Sequence, residues 1–255
     1  MINVLNIHLF DDTLSSAVSC VIKTCSEQKE KMNRCVSARD AHGLVFAQKN
    51  KDFDNILKNF YWNLPDGMPT VWVGLLKGAK RMERCYGPDY FKEVIIASAD
   101  KPIMHYFCGG KGGVAEELRS TCGTRFKNFN VVGTYCPPFR TMTDDELRTL
   151  ANDINYKNVD VVWIGMSTPK QELFAAQLAK YTEVHFLVTV GAAFDFHTGK
   201  VPQAPKIIQK MGLEWFFRLC MEPKRLFSRY AVTVPLFIYY NIKECISHFF
   251  QGYKS

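Results

Sequence analysis

The chain alternates between short apolar runs and longer segments in which apolar residues recur every three or four positions. The runs are rich in β-branched residues and end at turn residues, a pattern typical of strands buried on both faces. The longer segments are typical of amphipathic helices that cover such strands. The alternation predicts an α/β fold built on a doubly wound, mostly parallel sheet of the Rossmann-like kind.

The predicted elements are clearest in the second half of the chain. Thr143 suits the N-cap of one predicted helix, and Pro169 suits the first position of another. Strands are predicted over 4–10, 35–37, 103–108, 129–133, 159–164 and 184–190. Helices are predicted over 12–25, 42–50, 53–60, 71–76, 87–97, 113–121, 144–155 and 169–180.

The pattern changes after Pro202. Three helical segments, predicted over 204–219, 223–230 and 236–250, follow one another with no strand between them. We therefore predict an α/β body over 1–199 and a C-terminal helical appendage over 200–255.

Charge sets the predicted appendage apart. The whole chain carries a net charge of +7, and residues 200–255 contribute +6 of it, from nine Lys/Arg and three acids. A concentrated positive field predicts an anionic partner there. Aromatic residues are mixed with the basic ones, which suits contact with the headgroups of an anionic membrane; packing on the body or in a subunit interface is the alternative. These aromatics are Trp215, Phe216, Phe217, Phe227, Tyr230, Phe237, Tyr239 and Tyr240.

Other features narrow the protein class. No run of about 18 apolar residues occurs, so no membrane span is expected. The N-terminus lacks the pattern of a secretory signal, and the nine cysteines include no CxxC pair, so reduced thiols in a cytoplasmic protein are expected. No metal site is predicted. Asp52 and Asp54 spell the DxD of metal-dependent transferases, but we interpret them as acids at a helix N-terminus.

Three segments follow predicted strands, where ligands bind in open α/β sheets. Gly109 and Gly110 begin a glycine-rich segment that either contacts a phosphate or forms a plain tight turn. Gly165 begins a second segment, in which Lys170 either lies near an anion or is solvated. In the third segment, Asp195 either binds a ribose or sugar hydroxyl or is a turn residue.

Asp66 lies on a loop between Pro65 and Gly67 among apolar neighbours. Burial can tune the pKa of such a carboxylate for general-base catalysis. The alternative is an ordinary turn aspartate before glycine.

Several blocks together resemble the WecG/TagA/CpsF family of glycosyltransferases (glycosyltransferase family 26). They keep the family's order over roughly residues 35–230, and their joint agreement is specific. The blocks are Asp-Gly-Met-Pro at 66–69, Glu-Arg-Cys-Tyr-Gly-Pro-Asp at 83–89, Gly-Met-Ser-Thr-Pro-Lys-Gln-Glu at 165–172, Val-Gly-Ala-Ala-Phe-Asp-Phe-His-Thr-Gly at 190–199, Gly-Leu-Glu-Trp-Phe-Phe-Arg-Leu at 212–219, Glu-Pro-Lys-Arg at 222–225 and Arg-Tyr at 229–230.

The resemblance implies an inverting glycosyltransferase that needs no metal and no cofactor. Its donor would be a UDP-sugar carrying an N-acetylmannosamine-, glucose- or uronic-acid-type sugar. Its acceptor would be a polyprenyl-diphosphate-linked sugar in cell-surface polysaccharide or exopolysaccharide synthesis. The implied location is cytoplasmic, on the inner face of the cytoplasmic membrane. An anionic membrane surface is then a partner, nucleic acid is not, and a homo-oligomer is one expected assembly.

The resemblance also assigns roles. Asp66 corresponds to the proposed base, while Arg218 and Arg225 would stabilise the leaving diphosphate. These arginines and Arg229 are spaced 7 and 4 apart, which would place them on one face of a continuous helix; a solvated basic face is the alternative. With the strand-end segments included, the candidate substrate-binding residues are Ser37, His42, Arg84, Gly109, Gly110, Gly165, Lys170, Gln171, Glu172, Asp195 and Arg229.

Two segments depart from the family pattern. Ser37-Ala38-Arg39 stands where many members have Thr-x-Asn, and Gln203-Ala204-Pro205 stands where Arg-Ala-Pro is usual. Both departures touch positions expected to recognise sugar or pyrophosphate. The donor is therefore not copied from teichoic-acid enzymes, and a branch nearer to exopolysaccharide synthesis is expected.

Two other function classes stay open on sequence alone. A nucleotide-sugar dehydrogenase or epimerase would share the α/β body, but it needs a GxGxxG after the first strand, where this chain has Leu9-Phe10-Asp11-Asp12. A nucleic-acid-binding module would fit the basic, aromatic tail. It would leave Asp66 and the strand-end segments unexplained.

Overall fold

A computed structural model describes residues 1–252 of the chain, apart from the side chains at positions 210, 225 and 247–252. Over these residues it confirms the α/β fold, with eight strands in one sheet. The strands are β1 (Ile2–Val4), β2 (Ile7–Leu9), β3 (Arg34–Arg39), β4 (Trp62–Pro65), β5 (His105–Gly109), β6 (Val131–Tyr135), β7 (Val161–Gly165) and β8 (Phe186–Thr189). Their order is β1-β2-β4-β3-β8-β7-β5-β6, and only the β1–β2 pair is antiparallel.

Helices cover both faces of this sheet. No helix in the part of the chain that the structure describes is long and apolar enough to cross a membrane. The helices are α1 (Leu14–Glu27), α2 (Ala41–Lys49), α3 (Lys51–Lys58), α4 (Met68–Leu76), α5 (Gly87–Ala97), α6 (Val114–Arg125), α7 (Asp144–Tyr156), α8 (Lys170–Leu178), α9 (Ala193–His197), α10 (Lys206–Lys210), α11 (Glu214–Met221) and α12 (Pro223–Gly252).

Two predicted helix starts can be checked. Thr143 caps α7 as predicted: its hydroxyl accepts from the Glu146 N–H at 3.3 Å, and the Glu146 carboxylate accepts from the Thr143 N–H at 2.8 Å. This reciprocal arrangement is a capping box. Pro169 precedes α8 as its N-cap rather than opening it, so this helix begins one residue later than predicted.

The core consists of apolar layers on the two faces of the sheet. Successive strand residues point to opposite faces, so Phe107 and Trp163 pack toward α1, α5, α6 and α9. Tyr106 and Val162 pack toward α7 and α8. All four side chains are buried. The continuous apolar runs of the sequence reflect this burial on both faces.

The prediction of one strand over 4–10 is wrong. The segment is a hairpin of β1 and β2, in which Val4 pairs with Ile7. Leu5 and Asn6 form the turn, and both have positive φ, 53° and 61°. A two-residue hairpin turn of type I′ requires positive φ at both of its central residues. The turn could not be recognised from the sequence because an apolar residue, Leu5, occupies its first position.

Strand β4 and helix α9 were not predicted as elements. Trp62–Pro65 forms β4, which pairs with β2 on one side and β3 on the other. Its four residues contain a polar Asn63 and end in a proline, so they carry little strand pattern. Their pairing places Asp66 at the carboxyl edge of the sheet. The segment expected to be a turn after β8 contains α9.

The helices predicted after Pro202 divide differently. The segment 204–219 is split at Gly212, where a φ of 71° interrupts the helix. Segments 223–230 and 236–250 merge into α12, which continues through Pro235. Arg218 therefore lies on α11 and Arg229 on α12, separated by the break at Glu222. The three arginines would share one face only on a continuous helix, and this condition is not met, because Glu222 leaves helical geometry before Pro223 opens α12.

Helix α12 packs closely on the N-terminal part of the chain. Phe237 is buried in the same cluster as Val4 and Leu44. The Glu244 carboxylate accepts from the Leu5 N–H at 3.2 Å and forms an ion pair with Lys77. A division of the chain near residue 199 stays a prediction.

The direction of the strand connections reverses between β5 and β7. From β5 the chain passes outward to the edge strand β6, whereas from β7 it passes inward to β8. Connections that leave adjacent parallel strands in opposite directions open a crevice beyond their carboxyl ends, where ligands bind in α/β sheets.

Candidate active site

Asp66 lies at the carboxyl end of β4, directly after its last residue. The backbone N–H of Asp66 donates to the Arg39 carbonyl at 2.9 Å, which fixes the loop against the end of β3. Its carboxylate accepts from the Gly87 N–H at 2.6 Å. The backbone and the side chain of Asp66 are therefore each fixed by one hydrogen bond at the edge of the sheet.

The environment of Asp66 changes its acidity. Burial raises the pKa of this carboxyl to about 6, although the Arg84 charge and the Gly87 hydrogen bond act in the opposite direction. The negative charges of Asp40 and Glu214 add to the increase. A carboxylate with a pKa near 6 is ionised at neutral pH and is a stronger base than an ordinary aspartate.

Arg84 connects Asp66 to the C-terminal helices. Its Nε donates to the Asp66 carbonyl at 2.6 Å, and its Nη2 donates to the Glu214 carboxylate at 2.5 Å. The Tyr86 hydroxyl donates to the other Glu214 oxygen, and the Arg84 guanidinium lies 4.0 Å from the Tyr86 ring centroid. Burial disfavours the Arg84 charge, but the carboxylates of Asp66 and Glu214 outweigh it and raise the Arg84 pKa.

Positive charge from α11 and α12 acts on Tyr230 and His42. The charges of Arg218 and Arg229 both act on the Tyr230 hydroxyl, whose pKa burial raises. Burial lowers the His42 pKa, and the Arg229 charge lowers it further. Asp40 acts electrostatically on both groups and on Asp66.

Arg218 carries a buried donor that the described residues do not satisfy. Among the described residues no acceptor lies within hydrogen-bonding distance of its buried Nε. Its guanidinium is 5.8 Å from the Phe196 ring centroid, on the segment that follows β8. The side chain of Arg225 lies outside the described residues, so its predicted role stays a prediction.

Ser37 and Glu172, predicted to bind substrate, belong to a buried polar cluster. Glu172 forms an ion pair with Arg39, and neither side chain is more than 1% exposed. The Ser37 hydroxyl lies 3.3 Å from the Glu172 carboxylate and 2.7 Å from the Thr189 hydroxyl. These contacts join the ends of β3 and β8 to α8.

Gln171 is also buried and links two strand-end segments. Its Oε1 accepts from the Gly191 N–H at 3.0 Å, and its Nε2 lies 3.4 Å from the Thr168 hydroxyl. Its side chain therefore fixes the loop after β8 relative to the loop after β7.

The glycines at the crevice bring two backbones together. The Gly110 N–H donates to the Gly165 carbonyl at 2.8 Å. A Cβ at Gly109, whose φ is 136°, would overlap the Gly165 backbone, and a Cβ at Gly165 would lie 2.6 Å from the Phe194 ring. Glycine is required at both positions for this close approach.

Lys170 and Asp195 are placed near the same edge. Lys170 is exposed in the first turn of α8, and its Nζ lies 3.8 Å from the Phe139 ring centroid. Asp195 is partly buried in the first turn of α9, after β8. The structure thus distributes the predicted residues over three neighbouring groups: around Asp66, in the buried cluster, and along the crevice.

Asp52 and Asp54 lie in the first turn of α3, which confirms their interpretation as helix N-terminal acids. Asp54 forms an ion pair with Lys58, four residues later. Among the described residues, no group of three or more His, Cys, Asp or Glu side chains is arranged to hold a metal ion.

Sequence analysis did not assign roles to several residues of the site. Tyr86, Gly87 and Glu214 all contact Arg84 or Asp66, and Asp40 lies nearby. Tyr86, Gly87 and Glu214 lie inside sequence blocks that carry the family resemblance. Membership in these blocks is the sequence feature that could have identified them. Asp40 is also the N-cap of α2, because its carboxylate accepts from the Gly43 N–H at 2.9 Å.

Comparison with known proteins identifies the family of this chain. The model of the glycosyl transferase WecG/TagA/CpsF family matches residues 2–250. A similar protein is the N-acetylglucosaminyldiphosphoundecaprenol N-acetyl-beta-D-mannosaminyltransferase of Bacillus subtilis (strain 168). It is 27% identical over 234 residues, which cover 90% of this chain and 89% of that protein. The family match favours a transferase over a dehydrogenase, an epimerase or a nucleic-acid-binding module. Because the match extends over nearly the whole chain, the protein belongs to the WecG/TagA/CpsF family of glycosyltransferases.

Proposed function

We propose that this glycosyltransferase is inverting and moves a sugar from a UDP-sugar to a polyprenyl-diphosphate-linked acceptor in cell-surface polysaccharide synthesis. The observation that carries the proposal is Asp66, a carboxylate with a raised pKa at the carboxyl edge of the sheet, adjoining Arg84 and Glu214. The B. subtilis relative, whose name describes an undecaprenol-linked acceptor, supports the acceptor class.

In the proposed reaction Asp66 acts as the general base. An acceptor hydroxyl attacks C1 of the donor sugar from the face opposite the UDP. The new C1–oxygen bond forms as the bond from C1 to the diphosphate oxygen breaks, and the hydroxyl proton passes to the Asp66 carboxylate. The anomeric centre is inverted, and UDP leaves with the bonding electron pair.

The leaving diphosphate gains negative charge, which the protein must stabilise. We assign this role to Arg218 and Arg225, with Arg229 adding positive charge nearby. The Nε of Arg218 is buried and has no hydrogen-bond acceptor among the described residues, which supports this assignment. Preorganised guanidinium groups bind phosphate oxygens well and can act without a metal ion or other cofactor.

The donor sugar is expected to be of the N-acetylmannosamine, glucose or uronic acid type. Arg39 supports a donor site that differs from that of teichoic-acid enzymes. It stands where many family members have asparagine, and it is buried against Glu172 instead of facing the crevice as a free side chain.

We further propose that the C-terminal helices contact an anionic membrane at the cytoplasmic face. Ile207 on α10, Met211 directly after it, Phe216 on α11 and Phe227 on α12 are apolar and exposed among basic residues. A surface of this composition binds membranes by apolar burial and charge attraction together. A homo-oligomer would bury part of the same surface.

The decisive experiment combines donor, acceptor and membrane. The purified full chain is incubated with anionic vesicles carrying a polyprenyl-diphosphate-linked N-acetylglucosamine, in EDTA, with a panel of UDP-sugars. We expect UDP release and a heavier lipid product with one class of donor, and loss of both with Asp66→Asn. Asp100→Asn, at a strongly exposed aspartate, is the matched control and should retain activity.

Specific results would reject parts of the proposal. Turnover by Asp66→Asn equal to that of the unmodified chain would exclude Asp66 as the base. Activity that EDTA abolishes and a divalent cation restores would exclude metal independence. Retention of the donor's anomeric configuration in the product would exclude inversion.

A further inference from the structure

We infer that His197, the last residue of α9, is a positioning residue for Asp66: it fixes the first turn of α5, and that turn orients the proposed base. The inference rests on the proposed function in one respect, since it takes Asp66 to be the base. It gives a role to a histidine that the reaction described above does not use.

One hydrogen bond connects α9 to α5. The His197 Nε2 lies 2.9 Å from the carbonyl oxygen of Pro88, which belongs to the first turn of α5. A carbonyl oxygen only accepts, so Nε2 carries a proton and donates it. Burial lowers the pKa of His197, which keeps the ring uncharged at neutral pH. The hydrogen bond therefore involves the neutral imidazole, with its proton on Nε2.

The imidazole has little freedom to move. Its ring centroid lies 5.3 Å from that of Phe91 and 5.6 Å from that of Phe126, with interplanar angles of 30° and 89°. Phe91 is a buried residue of α5 itself. The Arg125 Nη1 donates to the His197 carbonyl at 3.4 Å, which holds the backbone at the end of α9. A ring fixed in this way constrains the carbonyl to which it donates.

The first turn of α5 carries this constraint to Asp66. Gly87 directly precedes Pro88, and its N–H donates to the Asp66 carboxylate at 2.6 Å. Proline restricts the backbone between the two contacts, so a shift of the Pro88 carbonyl also moves the Gly87 N–H. A Cβ at Gly87 would lie 3.0 Å from the Val190 carbonyl oxygen, so the turn also adjoins the segment that leads from β8 to α9.

Charged groups surround both ends of this connection. Three of them act electrostatically on His197, namely Asp89, Arg125 and Lys92. Three act on Asp66, namely Arg84, Asp40 and Glu214. Replacing His197 by an uncharged side chain leaves all of these charges in place and removes none at neutral pH. A change in the titration of Asp66 would therefore report the hydrogen bond to Gly87, which lowers the Asp66 pKa.

Two substitutions separate the donor from the ring. His197→Phe keeps an aromatic ring against Phe91 and Phe126 but removes the donor, whereas His197→Gln keeps an N–H donor without the ring. The titration of Asp66 is followed by ¹³C NMR of the full chain labelled at the aspartate Cγ, and Asp66→Asn identifies the signal. Turnover is measured on vesicles as in the proposed assay.

We expect His197→Phe to move the Asp66 titration to higher pH by up to about one pH unit, because a hydrogen bond to an ionised carboxylate contributes at least that much. The kcat should fall about tenfold or more, with little change in KM, because a misplaced base is less effective once substrate is bound. His197→Gln should recover most of both properties. His8→Phe, at an exposed histidine, is the control and should change neither.

The other outcomes reject the inference or the proposed base separately. An unchanged Asp66 titration in His197→Phe would overturn the inference. A loss of turnover that follows the melting temperature and that His197→Gln does not recover would also overturn it, because the role would then be general stability. A shifted titration with unchanged turnover would uphold the positioning of Asp66 and reject Asp66 as the base. If His197→Phe does not fold, His197→Asn replaces it, since its side chain ends short of the Nε2 position.

Discussion

The Asp66 carboxylate accepts a hydrogen bond from the Gly87 N–H at 2.6 Å, and this contact joins the loop after β4 to the first turn of α5. Gly87 is closely surrounded: a Cβ there would lie 3.0 Å from the Val190 carbonyl oxygen, a contact tight enough to require a small shift, and in ordinary contact, 3.5 Å, with the Asp66 carboxylate. The hydrogen bond orients the carboxylate, while burial raises its pKa. Orientation and acidity of the proposed base therefore have separate structural causes.

The first prediction concerns the pH dependence of turnover. Because the pKa of Asp66 is about 6, kcat/KM should fall about tenfold per pH unit below that value as the base becomes protonated. Asp66→Asn should lower kcat/KM by roughly 10²- to 10⁴-fold and leave UDP affinity nearly unchanged. A pH-rate profile of both proteins checks this. If the residual activity of Asp66→Asn still falls at low pH, a group other than Asp66 causes the acidic limb.

The second prediction concerns stability. The folded-state pKa of Asp66, about 6, lies above its unfolded value of 3.8. Between these values the folded state binds more protons than the unfolded state, so the Asp66 contribution to stability falls as pH rises from about 4 to 6. Asp66→Asn should therefore increase the free energy of unfolding at pH 8 by up to about 3 kcal/mol, and change it little near pH 4. Urea unfolding at several pH values measures this, and a pH-independent difference would contradict it.

The third prediction uses two neighbours of opposite charge. The Arg84 charge lowers the Asp66 pKa, and the Glu214 charge raises it. Arg84→Met should shift the acidic limb of the kcat/KM profile to higher pH, and Glu214→Gln should shift it to lower pH. Glu214→Gln can retain part of the Arg84 and Tyr86 hydrogen bonding, which limits structural disturbance. Shifts in the same direction would show that the two residues act through loop structure and not through charge.

The fourth prediction concerns the buried Arg39–Glu172 pair. Glu172→Ala would leave the Arg39 guanidinium buried without its carboxylate partner, which costs about 3–5 kcal/mol. Combining it with Arg39→Met removes the unpaired charge and should recover a large part of that loss. A double-mutant cycle by urea unfolding measures the coupling. Additive effects of the two single substitutions would mean that the ion pair contributes nothing beyond its separate side chains.

Local patterns were predicted well because their causes are local. The capping box at Thr143 needs only residues three positions apart, and the start of α5 at Gly87 follows from Pro88 in its first turn. The β1–β2 hairpin and β4 were missed because their pairing partners, and not their own side chains, determine them. The break between the predicted segments 204–219 and 223–230 is also local in cause, because Glu222 precedes Pro223 and a residue before proline is disfavoured in helical geometry.

The sequence by itself determined the α/β class, the strand-end segments and the family blocks, because each depends on neighbouring residues or on their order along the chain. Tertiary structure alone decided how these parts meet. The path of the chain from β4 through α4 to α5 brought Arg84 back to Asp66, and chain folding brought Glu214 to Arg84 from 130 residues away. Burial at that meeting point raised the Asp66 pKa. Desolvation and long-range charge pairing depend on the complete packed structure, and no local pattern encodes them.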